Sequence, residues 1–149
     1  MTKSIIALSL TASLFSCKGP ASGGLPIQGT WQLISAKVVT KNDSTVTDYT
    51  KGQKMIKIIN DSHFAFLKHD LTKGKDTATA TYGSGGGIYT LRDNKYTELL
   101  EYCNARAWEG KSFEFTVSII NDTLLQTGIE KLPEQGIDQV ITEKYLRVK

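Results

Sequence analysis

Residues 87–100 read GIYTLRDNKYTELL, and this stretch indicates the class of structure more clearly than any other part of the chain. Apolar or aromatic residues alternate with polar ones on both sides of Asp93-Asn94, which is the pattern of a half-buried β-strand. Asn and Asp tolerate the positive φ that a two-residue hairpin turn needs. With that loop, Tyr89 faces Glu98, and Tyr96 shares their face. The stretch predicts a β-hairpin with an aromatic face that carries one carboxylate.

The same alternation recurs along the chain and predicts further strands. Two more two-residue turns are predicted at Asn60-Asp61 and Asn121-Asp122. One short helix is predicted within Thr47–Lys54. Strands at this spacing without long helices predict an antiparallel sandwich or barrel. The predicted strands are Gly29–Val39, Lys54–Ile59, Ser62–His69, Thr77–Tyr82, Gly87–Arg92, Lys95–Tyr102, Ser112–Ile120, Thr123–Glu130 and Gln139–Val148.

The turns also predict which side chains share a face of the sheet, because side chains alternate along a strand. Tyr102 is expected on the face of Tyr96 and Glu98. The second hairpin groups Ile56, Ile58, Ala65 and Leu67, and the third groups Phe113, Phe115, Val117, Ile119 and Leu124.

The glycine-rich run at residues 83–87 resembles a phosphate-binding loop only in composition. It lacks the trailing Gly-Lys-Ser/Thr of that motif. Small residues in a strand indicate bending or a close approach of another backbone. We therefore predict a structural role for this run.

Composition and motifs favour neither catalysis nor nucleic-acid binding. The net charge is +3, with both signs interspersed and no basic stripe. No hydrolase, zinc-protease or paired-carboxylate motif is present. His63 and His69 are about 20 Å apart on an extended strand, too far to bind one ion. We expect no enzyme activity, no cofactor and no metal.

The first residues have the pattern of an export signal. Lys3 precedes an apolar run over residues 5–15 that is too short to span a bilayer. The run ends Leu14-Phe15-Ser16-Cys17, which resembles a lipobox. The resemblance implies cleavage after Ser16 and lipidation of Cys17, with several acyl chains giving stable anchoring.

This pattern predicts the organisation of the chain and its location. Residues 1–16 form a signal peptide, 17–24 the acylated cysteine with a flexible tether, and 25–149 a single domain. The tether lacks the acidic run that directs some lipoproteins to the cell surface. We expect an outer-membrane anchor that faces the periplasm. With Cys17 acylated, Cys103 has no partner for an internal disulfide, and it is interpreted as a small apolar residue.

The domain resembles the bacterial lipocalin-like lipoproteins over essentially its whole length. It opens with Gly29-Thr30-Trp31, the lipocalin Gly-x-Trp pattern, and the similarity continues through residues 87–91, 96–98 and 111–116. The resemblance implies an up-and-down antiparallel barrel of about 8–10 strands whose inside can hold one small ligand. It also implies that Trp31 packs against a basic residue near the last strand, for which Arg147 is the candidate.

A barrel lined by aromatic side chains suits a small apolar or amphipathic ligand. Two alternatives remain open: the aromatics fill a small barrel completely, or loops 105–110 and 132–138 form a protein-interaction or inhibitor surface. Trp108 either borders a portal or plugs one end. The candidate ligand-binding residues are Phe64, Phe66, Tyr89, Tyr96, Glu98, Tyr102, Arg106 and Trp108.

Overall fold

The computed structural model describes residues 24–149 and shows an all-β chain. Within that range, two 3-10 helices are present, Arg106–Trp108 and Pro133–Gln135, and no helix is long and apolar enough to cross a membrane. The predicted signal peptide and Cys17 lie outside the described residues. The strands are β1 Gly29–Val39, β2 Ser44–Asp48, β3 Gln53–Ile59, β4 His63–Asp70, β5 Tyr82–Arg92, β6 Lys95–Cys103, β7 Ser112–Ile120, β8 Thr123–Leu132 and β9 Ile137–Arg147.

The sheet closes on itself to form a barrel. Strands β1 and β3 to β9 pair in chain order, always antiparallel, and β9 returns to β1. Residues 29–32 of β1 pair with β3, whereas residues 35–39 pair with β2, which lies beside the eight-stranded ring. The predicted antiparallel up-and-down barrel is confirmed. Closure removes the unpaired sheet edges that would otherwise invite aggregation.

Two of the three predicted hairpin turns are confirmed. Arg92 pairs with Lys95 around Asp93, whose φ is 55°. Ile120 pairs with Thr123 around Asn121, whose φ is 54°. In both turns an Asn or Asp takes the left-handed conformation, as this turn chemistry requires.

The turn predicted at Asn60-Asp61 is displaced by one residue. Ile59 pairs with Phe64, and the Asn60 amide donates to the His63 carbonyl at 3.0 Å. The side-chain oxygen of Asn60 accepts hydrogen bonds from the amides of Ser62 and His63 at 2.9 and 2.7 Å. Such a side-chain cap places Asn60 at the first position of the turn and not in its centre.

The register changes by two residues as a result, so the faces of this hairpin are unchanged. Ile56, Ile58, Ala65 and Leu67 lie together as predicted, and their shared face points outward, with Ile58 and Leu67 41% and 43% exposed. The intervening Lys57 therefore points into the barrel, where it is 3% exposed.

Two predicted elements are wrong. Residues 77–81 form turns and loop instead of a strand, and β5 begins at Tyr82. The carboxylate of Asp70 accepts hydrogen bonds from the amides of Gly74 and Thr81 at 2.9 and 3.2 Å, which holds the loop 71–81 against β4. The helix predicted within Thr47–Lys54 is replaced by the end of β2, a turn through Gly52 (φ 70°) and the start of β3.

The glycine-rich run lies inside β5, where other backbone approaches it closely. A Cβ added at Gly86 would lie 2.5 Å from the Phe64 carbonyl oxygen, and one at Gly87 only 2.0 Å from the Leu99 carbonyl oxygen. The predicted close approach is confirmed. Next to Gly87 the register shifts, so that Gly87 pairs with Leu100 and Gly86 with Tyr102.

This β-bulge reverses the inside–outside alternation at the end of β6. Glu101 is the extra residue, so Tyr102 faces outward and is 71% exposed, while Cys103 turns inward. The placement of Tyr102 on the inner face is therefore wrong. An inserted residue in one strand of a pair shifts every following side chain to the other face.

One end of the barrel is closed by Trp31, which has no exposed surface. Its indole nitrogen donates to the Ile27 carbonyl at 2.7 Å. The Arg147 guanidinium carbon lies 4.0 Å from the centre of the indole, and the guanidinium donates to the carbonyls of Gln28 and Pro26, both at 2.7 Å. The expected contact between Trp31 and Arg147 is present. Together with the two hydrogen bonds, it attaches the segment before β1 to β9.

Candidate functional site

The closed half of the barrel is packed solid. Five large side chains have no exposed surface there: Trp31, Leu33, Tyr96, Leu124 and Tyr145. The filled-core alternative describes this half of the molecule, since side chains with no accessible surface leave no space beside them for a ligand.

The other half contains a cavity of about 240 Å³. For comparison, a cavity of roughly 150 Å³ lined by apolar side chains binds benzene. Apolar walls are contributed by Met55, Phe66, Leu100, Trp108, Phe113 and Phe115, and polar walls by Lys57, Glu98, Gln126, Glu130 and Glu143. The arrangement suits a molecule with an apolar body and a polar end.

Lys57 is the central residue of the polar wall. Its ammonium donates to Glu98 Oε1 at 2.8 Å and to Gln126 Oε1 at 3.1 Å. It also lies 5.4 Å from the ring centre of Tyr145 and 5.8 Å from that of Tyr96, within cation–π range. Burial lowers the pKa of Lys57, but Glu98 and Glu143 outweigh burial, so the net pKa is raised and Lys57 stays charged.

Two further carboxylates face the cavity. Glu143, 9% exposed, accepts a hydrogen bond from the Tyr145 hydroxyl at 2.9 Å. Glu130 accepts one from the Gln139 amide at 2.7 Å. Burial raises the pKa of both carboxyl groups, against the opposing effect of Lys57. Both groups therefore hold a proton more readily than an exposed glutamate does.

The Tyr96 hydroxyl is buried and has no hydrogen-bond partner within residues 24–149. Burial, and next the charge of Glu98, raises the pKa of Tyr96, so the hydroxyl stays protonated. A buried polar group without a partner is unfavourable by about 1–3 kcal/mol. This hydroxyl is thus an unused hydrogen-bonding group beside the charged cluster.

The loop between β6 and β7 borders the open end of the cavity. Trp108 lies over Phe113, with ring centres 5.4 Å apart. Glu109 accepts a hydrogen bond from the Cys103 amide at 3.0 Å and pairs with Arg106 at 2.9 Å. This loop therefore has defined contacts that hold Trp108 at the mouth.

The candidate ligand-binding residues lie in different parts of the structure, and only some of them border the cavity. Phe66, Glu98 and Trp108 lie in the cavity wall. Phe64 and Tyr96 belong to the packed interior. The other three lie away from the cavity: Tyr89 at the closed end, where its hydroxyl donates to the Asn60 carbonyl at 2.8 Å, and Tyr102 and Arg106 on the outside.

Sequence reasoning missed Lys57, Gln126, Glu130 and Glu143. Strand alternation contained the signal, because Lys57 alternates with the inward Ile59, and Glu143 with the inward Tyr145. Charged residues are rarely buried, so alternation alone did not identify Lys57 and Glu143 as interior residues.

Within the described residues, no group of three or more His, Cys, Asp or Glu side chains is arranged to bind a metal ion. No protein-family model matches the chain, and no curated protein matches it.

Proposed function

We propose that this protein is a lipid-anchored, lipocalin-like binding protein whose barrel holds one small amphipathic molecule. The observation that carries the proposal is the cavity of about 240 Å³, whose wall combines apolar side chains with a charged cluster. Cavities with a few convergent polar groups on a largely apolar wall are typical of small-molecule sites.

The energetics of the cluster also support a role in recognition. Buried ion pairs contribute little net stability, because the loss of hydration offsets the attraction between the charges. Replacing a buried ion pair with apolar residues of similar volume often leaves stability unchanged or raises it. Retaining charged groups around an unfilled space is therefore better explained by a ligand than by folding.

The proposed anchor is Cys17, which precedes the first described residue by only seven positions. An anchored domain would stay close to a bilayer, where amphipathic molecules are abundant. Replacing Cys17 with Ala is expected to abolish lipid labelling and to release exported protein from the membrane fraction. Continued labelling and membrane association of Cys17→Ala would contradict the anchor.

Native mass spectrometry of the mature protein from its own host tests the binding function. We expect a reproducible small-molecule adduct on the wild type and on Leu125→Trp, which alters the outer face. The adduct should be absent from Leu100→Trp, because the indole would fill the cavity. The mass of the lipidated polypeptide alone for folded wild-type protein, or an adduct that Leu100→Trp retains, would contradict the proposal.

A protein-interaction module is the second candidate. Two tyrosines near the mouth, Tyr82 and Tyr102, are 67% and 71% exposed, and tyrosine is enriched at interfaces. A protein that copurifies with the wild type and is lost from the Tyr82→Ser/Tyr102→Ser double variant would favour this function. Retention of the copurifying protein by that variant would count against it.

A further inference from the structure

The charges around the cavity do not balance. Within the described residues, its wall contains one cationic side chain, Lys57, and three carboxylates, Glu98, Glu130 and Glu143. When all are ionised, the cluster has two more negative than positive charges. In a buried site such an excess is relieved either by protonation or by a positive partner.

The ammonium group of Lys57 already has hydrogen-bond partners within the protein. It is hydrogen-bonded to Glu98 and Gln126, and the side chain is 3% exposed. It is therefore poorly placed to bind an anionic ligand, which would also meet three carboxylates. The polar end of an anionic amphiphile does not fit this cluster.

The other carboxylates are not paired with a cationic group in the same way. Glu130 and Glu143 each accept a side-chain hydrogen bond from a neutral donor, Gln139 and Tyr145 respectively. The hydrogen bonds within residues 24–149 leave one oxygen of each carboxylate for another donor. Both groups line the cavity, so a ligand there lies within their reach.

A second observation concerns a polar group beside the cavity. The Tyr96 hydroxyl is fully buried on the same inner face as Glu98 and has no hydrogen-bond partner in the described chain. It is the one buried side-chain polar atom of residues 24–149 left in this state. The interior beside the cavity therefore contains a hydrogen-bonding group that no described residue satisfies, which is unfavourable.

The aromatic surroundings favour positive charge as well. The ammonium of Lys57 lies within 6.0 Å of four ring centres, those of Phe64, Tyr96, Phe115 and Tyr145. Ring faces are negative and attract cations. Phe115 also belongs to the cavity wall. The interior thus combines carboxylates with ring faces, which is the chemistry that recognises ammonium groups.

Building on the proposed binding function, we infer that the cavity takes a small organic cation, an amine on an apolar or aromatic body. Its charged end lies against Glu130 and Glu143, and its body packs between Phe66, Trp108 and Phe113. An organic cation fits better than a metal ion, because no three acidic, His or Cys side chains of the described chain form a metal-binding group.

Isothermal titration of the full-length chain in detergent micelles, with micelles alone as the blank, tests this inference. The probes share one body and differ in their polar end: 2-phenylethylamine, 2-phenylethanol and phenylacetate at pH 7. We expect the amine to bind at least about tenfold more tightly than the other two probes. Of the three, only the amine donates a hydrogen bond from a positively charged group to Glu130 or Glu143, and such a bond accounts for a difference of this size. Glu143→Gln should weaken amine binding by about tenfold and alcohol binding by much less.

Glu114→Gln, on the outer surface of β7, is the matched control and should bind like the wild type. Glu130→Gln, nearer the mouth, provides the same test if Glu143→Gln fails to fold. Alcohol or acid binding as tight as amine binding would overturn the cation preference and leave the cavity as a ligand site. Binding of none of the three probes to folded protein would overturn the inference, whereas the proposed function is overturned by the absence of a native adduct.

Discussion

Lys57 Nζ lies 2.8 Å from Glu98 Oε1 inside the barrel, with the two side chains only 3% and 10% exposed. The residues are 41 positions apart and belong to β3 and β6, so their contact crosses the interior. Their mutual attraction and their loss of hydration nearly cancel. Removing one partner leaves the other buried without compensation, which makes the pair a sensitive point of the structure.

Replacing Lys57 with Met should therefore lower the free energy of unfolding by about 3–5 kcal/mol at pH 7. The Lys57→Met/Glu98→Gln double variant should recover part of that loss, because it removes the stranded charge. Urea denaturation provides the measurement, and Lys54→Met, on the exposed face of the same strand, is the control. Equal stability of Lys57→Met and the wild type would mean that the pair is hydrated.

Glu143 should make stability depend on pH. Burial raises the pKa of this carboxyl group in the folded protein above its unfolded value of 4.5. As pH rises, the Glu143 carboxyl loses its proton in the unfolded chain before it does in the folded protein. The contribution of Glu143 to the free energy of unfolding is therefore fully present below pH 4.5 and is lost as pH rises through the folded pKa.

Glu143→Gln lacks this titration. Its free energy of unfolding, relative to the wild type, should therefore increase between pH 4 and pH 8. Urea denaturation of both proteins at each pH gives the difference. A relative stability of Glu143→Gln that falls over this range would reverse the assigned direction.

Arg147 should contribute to stability through its stacking on Trp31 and its two hydrogen bonds to the carbonyls of Pro26 and Gln28. We expect Arg147→Ala to lower the free energy of unfolding by about 2–4 kcal/mol, from one cation–π contact and two charged hydrogen bonds. Arg92→Ala, at an exposed strand end, should change it by less than about 0.5 kcal/mol. Similar losses in the two variants would contradict this role.

Gly87 should be irreplaceable at the β-bulge. A Cβ there would lie 2.0 Å from the Leu99 carbonyl oxygen, so the backbone would have to move. Gly87→Ala is expected to lose at least about 2 kcal/mol of stability. At Gly83, in the same strand, the nearest atom is the Lys68 Cβ at 3.7 Å, so Gly83→Ala should be well tolerated. Thermal unfolding of the two variants makes the comparison.

Local chemistry explains the parts of the barrel that were predictable from the sequence. Asp93 and Asn121 specify their turns through backbone conformations that few other residues adopt, and each turn sets the register of its hairpin. The position of Tyr102 was not predictable in this way. It depends on the bulge opposite Gly87: the glycine run indicates a close approach of backbone, but it does not indicate which residue of β6 is the extra one.

The charged cluster could not be predicted from the sequence for a different reason. Lys57 and Glu143 occupy inward positions of their strands, but whether an inward lysine is buried depends on a partner far away in the chain. Glu98 is 41 residues from Lys57, and Gln126 is 69 residues from it. Only the closed barrel brings them together.

Methyl NMR of Met55 tests most directly whether the cavity is a ligand site. Met55 lines the cavity and is one of two methionines in the chain, so ¹³C-methyl labelling gives a simple spectrum. On titration with a small-molecule extract of the host envelope, the Met55 signal should shift and saturate in the wild type but not in Leu100→Trp. A Met55 signal that stays unchanged in folded wild-type protein at the highest extract concentration would contradict ligand binding in the barrel.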